Sequence, residues 1–236
     1  MGINMQIYEL SEYAKEHWSQ FRQRIAYISQ NRATDEPLVQ SDVLIYDFDE
    51  IVETLFDERN KPSSADGLFW TPHKIVFVEF KSGFYKKITK DNLNPEKAKC
   101  DYSGEFCKDY WKLFFDKQKK ETNELIDSIK LKAVESYIIW EKNIAPVFSL
   151  PIQCDIEFIA VIDGNSEDGI EDALAELSNQ GVSDNSCYRV RNALKRFLNR
   201  KDLSGGSYYY SNIQVMTPKE FEVYINRVLV LDKENC

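Results

Sequence analysis

Residues 66–81 read Asp66-Gly67-Leu68-Phe69-Trp70-Thr71-Pro72-His73-Lys74-Ile75-Val76-Phe77-Val78-Glu79-Phe80-Lys81. The pattern predicts a β-hairpin, with one strand opening at Asp66, a turn near 71–74 and a second strand from Ile75 to Lys81. Side chains alternate faces along a strand, so Ile75, Phe77, Glu79 and Lys81 share one face and Val76, Val78 and Phe80 the other. If Pro72-His73 forms a two-residue turn, Thr71 pairs with Lys74 and Asp66 falls opposite Glu79. Directly opposed Cβ atoms lie about 4.5–5.5 Å apart, and like charges there repel. A divalent cation between them converts that repulsion into a ligand pair.

Outward from this stretch, the rest of the chain sets bounds. Its 236 residues suit one domain, and 43% hydrophobic with 29% charged residues is an ordinary globular composition. No apolar run reaches the roughly 18–20 residues needed to span a bilayer. The start, Met1-Gly2-Ile3-Asn4-Met5-Gln6, has neither the basic region nor the apolar run of a signal peptide, so a cytoplasmic location and no membrane partner are expected. Five cysteines, an odd number without dense spacing, read as reduced thiols rather than a disulfide framework. A net charge of −9 counts against a broad nucleic-acid-binding face and leaves room for local basic clusters. One such cluster is Lys86, Lys87 and Lys90; another is Arg189, Arg191, Lys195, Arg196, Arg200 and Lys201.

Helical spacing of Ala14, Trp18, Phe21, Ile25 and Ile28 predicts a first helix over 11–29, capped by Ser11. A second helix is expected over 42–58, with Leu44, Phe48, Ile51, Val52 and Leu55 inward. Residues 84–108 are polar and punctuated by Asn, Pro and Gly, and read as an insertion or lid within the single domain. Helix is expected again over 108–141, with Ile126, Ile129, Ala133, Tyr137 and Trp140 on one face. At about 100° per residue, Lys130 falls inside that apolar arc and Lys132 at its far border, near Ser128 and Ser136. A strand over 155–163, helices over 168–180 and 186–199, a strand over 208–216 and a final helix opening at Thr217-Pro218 complete the order. This predicts an α/β fold, a mixed central sheet with helices on both faces.

Asp66 followed by Glu79-Phe80-Lys81 at the end of an apolar strand resembles the PD-(D/E)XK nuclease superfamily, the restriction-endonuclease-like proteins. The resemblance is close over the hairpin and loose over 42–216, and Ala65 stands where the family name has proline. It implies a metal-dependent phosphodiesterase acting on DNA, less often RNA. Asp66, Glu79 and the Phe80 carbonyl would be ligands to Mg²⁺ or Mn²⁺. Lys81 would orient or deprotonate the attacking water, and Lys130 or Lys132 would support the site from the following helix. Many members add a glutamate from an earlier helix, for which Glu12, Glu16, Glu50 and Glu53 all qualify. Prokaryotic or phage nucleic-acid processing, or an antiviral defence effector working with a protein partner or as a homo-oligomer, would suit such a domain. The alternative is a catalytically silent interaction module, for which the acidic charge and the polar 84–108 segment speak; a DNA mimic is a third option. His73 in the turn reads as a surface residue, His17 as packing beside Trp18, Asp163-Gly164-Asn165 as a polar turn, and Tyr208-Tyr209-Tyr210 as packing rather than a base-stacking platform.

Overall fold

The computed structural model describes residues 5–31, 34–84, 105–148, 154–163, 186–199 and 209–231. Within them the order is α1 (Met5–His17), β1 (Arg22–Arg24), α2 (Ile25–Ile28), β2 (Leu44–Asp47), α3 (Phe48–Leu55), β3 (Gly67–Thr71) and β4 (Lys74–Lys81), then α4 (Glu105–Ile139), β5 (Asp155–Ile162), α5 (Ser186–Leu198), β6 (Asn212–Met216) and α6 (Pro218–Leu231). The six strands form one sheet in chain order, β1 to β6. The first three pairings are antiparallel and the last two parallel, so the fold is α/β with a mixed open sheet. Among the described residues no helix is long and apolar enough to cross a membrane.

The hairpin forms with the predicted two-residue turn: Thr71 faces Lys74 and Gly67 faces Val78. One step further along that register sets Asp66 against Glu79. The predicted face assignment also holds. Ile75 and Phe77 enter a core with α1, α3, α4 and α5. Val76, Val78 and Phe80 enter a second core on the other side of the sheet, with Ile25, Val39 and, from α6, Phe221 and Ile225. β5 is buried over its last six residues because strands flank it on both edges and both of its faces are covered. Thr217 opens α6 with a reciprocal cap: Glu220 N donates to Thr217 Oγ1 at 3.3 Å, and Thr217 N donates to Glu220 Oε2 at 2.7 Å.

The N-terminal third departs from the expected two helices. The predicted 11–29 helix starts earlier, at Met5, and ends at His17. Ser11 caps nothing; its hydroxyl donates to Ile7 O at 2.8 Å and accepts from Trp70 Nε1 at 2.9 Å. Arg22–Arg24 then pairs with Leu44–Tyr46, so two short strands stand where helix was expected. The stripe misled because its two ends bury on opposite faces of the sheet, Ala14 and Trp18 in one core and Ile25 in the other. Likewise the 42–58 segment is a strand running into a helix. Asp47 sits at the junction as N-cap, accepting from Glu50 N at 3.0 Å. The expected 84–108 insertion, apart from Phe84 and the start of α4, and the expected 168–180 helix lie outside the described residues.

Candidate active site

Asp66 is held by the chain on either side of it. Its carbonyl accepts from Phe48 N at 3.0 Å. Just before it, Ala65 N donates to Ser136 Oγ on α4 at 2.7 Å, and Ser63 N donates to the Glu135 carboxylate. Its carboxylate does two things at once. Oδ2 accepts from Phe80 N at 2.7 Å, standing in for a ladder partner where β3 has ended. Oδ1 accepts from Lys132 Nζ at 2.8 Å. The N–H and C=O of one strand residue leave on the same side, so the Phe80 carbonyl also faces the Asp66 side.

Glu79 is wholly buried at 0% exposure. Its Oε2 accepts from the same Lys132 ammonium at 2.9 Å, while Oε1, equally buried, has no hydrogen-bond partner. Burial, and then the nearby Asp66 charge, push the Glu79 carboxyl well above the ordinary range, with Lys132 working against both. Burial works against the Lys132 ammonium, yet Glu79 and Asp66 outweigh it and hold its pKa above the usual lysine value. Lys81 shares the face of Glu79, and its Nζ donates to Ser128 Oγ at 3.2 Å. Asp66, Glu79, Lys81 and Lys132 line a cleft of about 610 Å³ together with Asp49, Lys61 and Ser82.

The helical choice left open between Lys130 and Lys132 resolves by geometry. Lys130 turns away from the acids, pairing with Asp127 at 2.9 Å and lying 5.6 Å over the Phe197 ring, so the expectation that it reaches the site is corrected. Ser128, Lys132 and Ser136 recur at four-residue steps, and all three contact the hairpin or its approach. That polar column beside the apolar stripe was the available signal, because residues four apart stack on one helix face.

The four glutamates also separate. Glu12 pairs with Lys15, and Glu16 is exposed beside His17, whose ring packs tilted against Tyr13 at 4.3 Å. Glu50 and Glu53 on α3 line a smaller cleft of about 360 Å³ with Asp47, Asp49 and Asp66, and Glu53 is paired with Lys61 at 2.7 Å. Sequence reasoning missed Asp47 and Asp49, because it placed both inside one helix. Asp47 is 9% exposed, and burial raises its carboxyl to about 6. Asp49 accepts from Ser64 Oγ and pairs with Lys61 at 3.1 Å.

The remaining candidates find structural work. His73 stays in the turn, at the far end of β4 from the acids. Tyr210 is buried and donates to Ala133 O at 2.6 Å, and Tyr209 packs on Tyr137. Asp163 accepts from Gly83 N and Phe84 N, both at 2.8 Å, fastening the chain as it leaves β4. Gly83, at φ 105°, takes the left-handed conformation this exit requires.

Among the described residues no three His, Cys, Asp or Glu side chains gather into a metal-holding group. Two carboxylates nonetheless suit Mg²⁺, which keeps several waters and takes one or two carboxylates. The orphaned Glu79 Oε1 is the atom that fits such a cation, since a buried oxygen without a donor is costly unless something positive meets it. No protein-family model matches the chain, and no curated protein or solved structure matches it.

Proposed function

We propose that the protein is a metal-dependent nuclease hydrolysing phosphodiester bonds, in DNA before RNA, on a restriction-endonuclease-like arrangement of sheet and helices. One observation carries the reading: Asp66 and the fully buried Glu79 converge at a strand end, with one Glu79 oxygen left without a partner and Lys81 on the same face. Placing a half-buried carboxylate against a fully buried one, with an acceptor unsatisfied, costs several kcal/mol, on the order of 1–3 for the orphan oxygen alone. A site shaped only by stability has no reason to retain it.

In this reading Asp66, Glu79 and the Phe80 carbonyl hold Mg²⁺ or Mn²⁺. Bound there, the cation supplies charge neutralisation at the phosphate and a more acidic water. Lys81 orients the attacking water through its ammonium and stabilises charge that develops on the phosphoryl oxygens. Lys132 steadies the two carboxylates from α4. Labelled DNA and RNA incubated with Mg²⁺ or Mn²⁺ test the proposal: wild type cleaves at least one of them, only with metal, and Lys81→Ala does not. Equal cleavage by both proteins sinks it.

A second reading has its own observation. The Lys132 ammonium already neutralises one charge of the pair at 2.8 and 2.9 Å. That favours a silent nuclease-like module whose acids serve stability and whose surface meets a protein or nucleic-acid partner. This reading predicts no cleavage of any substrate and no heat of Mn²⁺ binding in calorimetry.

A further inference from the structure

Lys132 is in an unusual position for a residue that only supports a metal site. Its Nζ lies 2.8 Å from Asp66 Oδ1 and 2.9 Å from Glu79 Oε2, in the gap between the two carboxylates. A cation ligated by both acids, at about 2.0–2.1 Å for Mg²⁺, needs that gap or its immediate edge. Entry through the free Glu79 Oε1 does not avoid the conflict, because the ammonium draws on the same two charges.

The charge count points the same way. With both carboxylates ionised, Asp66 and Glu79 contribute two negative charges, and Lys132 with Lys81 contributes two positive ones, so the four groups sum to zero before any metal arrives. A divalent ion added to the unchanged set finds no net attraction, because the two ammonium groups cancel the two carboxylates in a half-buried cleft where water screens weakly. The fold also keeps Lys132 well aimed. Ser128 and Ser136, one turn to either side, tie α4 to Lys81 and Ala65. The Lys132 side chain is 24% exposed and lines the open 610 Å³ cleft, so its head has somewhere to go.

We infer that Lys132 is a built-in counterion that occupies the cation position of the metal-free protein and must be displaced by the divalent ion, which lowers metal affinity and holds the site in reserve. The inference rests on the metal-site reading above. Displacement swings the ammonium into the cleft that an incoming phosphate would enter, so metal entry and phosphate binding assist one another.

Calorimetric titration with Mn²⁺ of wild type and Lys132→Met, with thermal denaturation of each with and without Mn²⁺, tests it. Lys132→Met binds Mn²⁺ about tenfold or more tightly than wild type, since an opposing charge is gone. Its melting temperature is lower without metal and gains more from Mn²⁺ than that of wild type. Lys132→Gln keeps hydrogen-bond donors for both acids and supplies the same comparison if the Met variant does not fold. Binding by wild type that is equal or weaker in both variants overturns the counterion role alone. Absence of Mn²⁺ binding in wild type and variants overturns the metal-site reading and this inference with it.

Discussion

β4 carries a lysine–carboxylate cluster toward each end, at Lys74 and at Glu79, about 17 Å apart at the usual strand rise. At its start, on the α6 face, Lys74 Nζ pairs with Glu157 at 2.8 Å and donates to Tyr224 OH at 3.1 Å. The other Glu157 oxygen accepts from Asn212 Nδ2 at 3.5 Å. One acid meets one base, and both Glu157 oxygens have partners. Burial works against the Lys74 ammonium, but Glu157 and Tyr224 hold its pKa above the ordinary value. At the other end, on the α4 face, one lysine bridges two acids and an oxygen of the deeper acid is left over. The same strand therefore ends in a balanced bracket on one side and an excess of buried acceptors on the other. Proteins satisfy buried polar groups as a rule, so the unbalanced end is the one that sets the proposed site apart from a purely structural bracket.

The widest separation between the two ends is expected in catalysis. Glu79→Gln or Asp66→Ala lowers metal-dependent cleavage by about 10⁴-fold, the scale of losing a metal ligand or general acid–base partner. Lys74→Met leaves the rate constant for cleavage where it was. A loss of cleavage in Lys74→Met equal to that in Glu79→Gln would erase the distinction.

Stability in the absence of metal comes next. Lys132→Met leaves the buried Glu79 and the half-buried Asp66 without the ammonium that bridges them and costs about 3–5 kcal/mol in urea denaturation. That cost shrinks when Mn²⁺ is present during unfolding. If the variant matches wild type in both conditions, Lys132 is not the counterion of the pair.

A third effect is pH-dependent and belongs to the acidic end alone. The Asp47 carboxyl, raised by burial to about 6, lies above its unfolded value, so the native state binds the extra proton in between. Stability is therefore greatest below about pH 4 as far as this group is concerned, and it falls as pH rises toward 6 by about 2 kcal/mol. Asp47→Asn keeps an oxygen for the Glu50 N–H and lacks this titration, so wild type loses stability relative to the variant as pH rises from 4 to 6. Denaturation curves from pH 4 to 7 check this, and a difference that does not change across the window removes Asp47 from the account. The smallest effect is expected at the balanced end, where Lys74→Met costs about 1 kcal/mol, as for a partly screened pair. A loss as large as that of Lys132→Met would mean the two clusters are alike.

Several parts of this arrangement were legible in residues alone. Period-two alternation and the Pro72-His73 turn were enough to set the hairpin register, the two faces of β4 and the opposition of Asp66 and Glu79. The same logic read β5, where a continuous apolar run has one good solution, a strand covered on both faces. Helical periodicity was sufficient for α4 and its inward stripe. The short strands β1 and β2 were hidden because three or four residues are too few to show a period, and their apolar neighbours happened to repeat at helical spacing. The carboxylates missed near the site followed from that error, since Asp47 and Asp49 changed position when a helix became a strand and a shorter helix.

What the sequence by itself determined, then, is the pair of facing acids, the lysine beside them and the helix bordered by Ser128, Lys132 and Ser136. These are consequences of local backbone geometry, in which spacing alone dictates which side chains share a face. Only the tertiary structure decided that Lys132 rather than Lys130 lies between the acids, that Glu79 is sealed from water with one oxygen unmatched, and that the Lys74 cluster is balanced. Those facts depend on the rotation and approach of α4 and α6 against the sheet. Packing sets that approach through contacts among residues far apart in the chain, such as Ala133 with Tyr210 and Phe80 with Phe221.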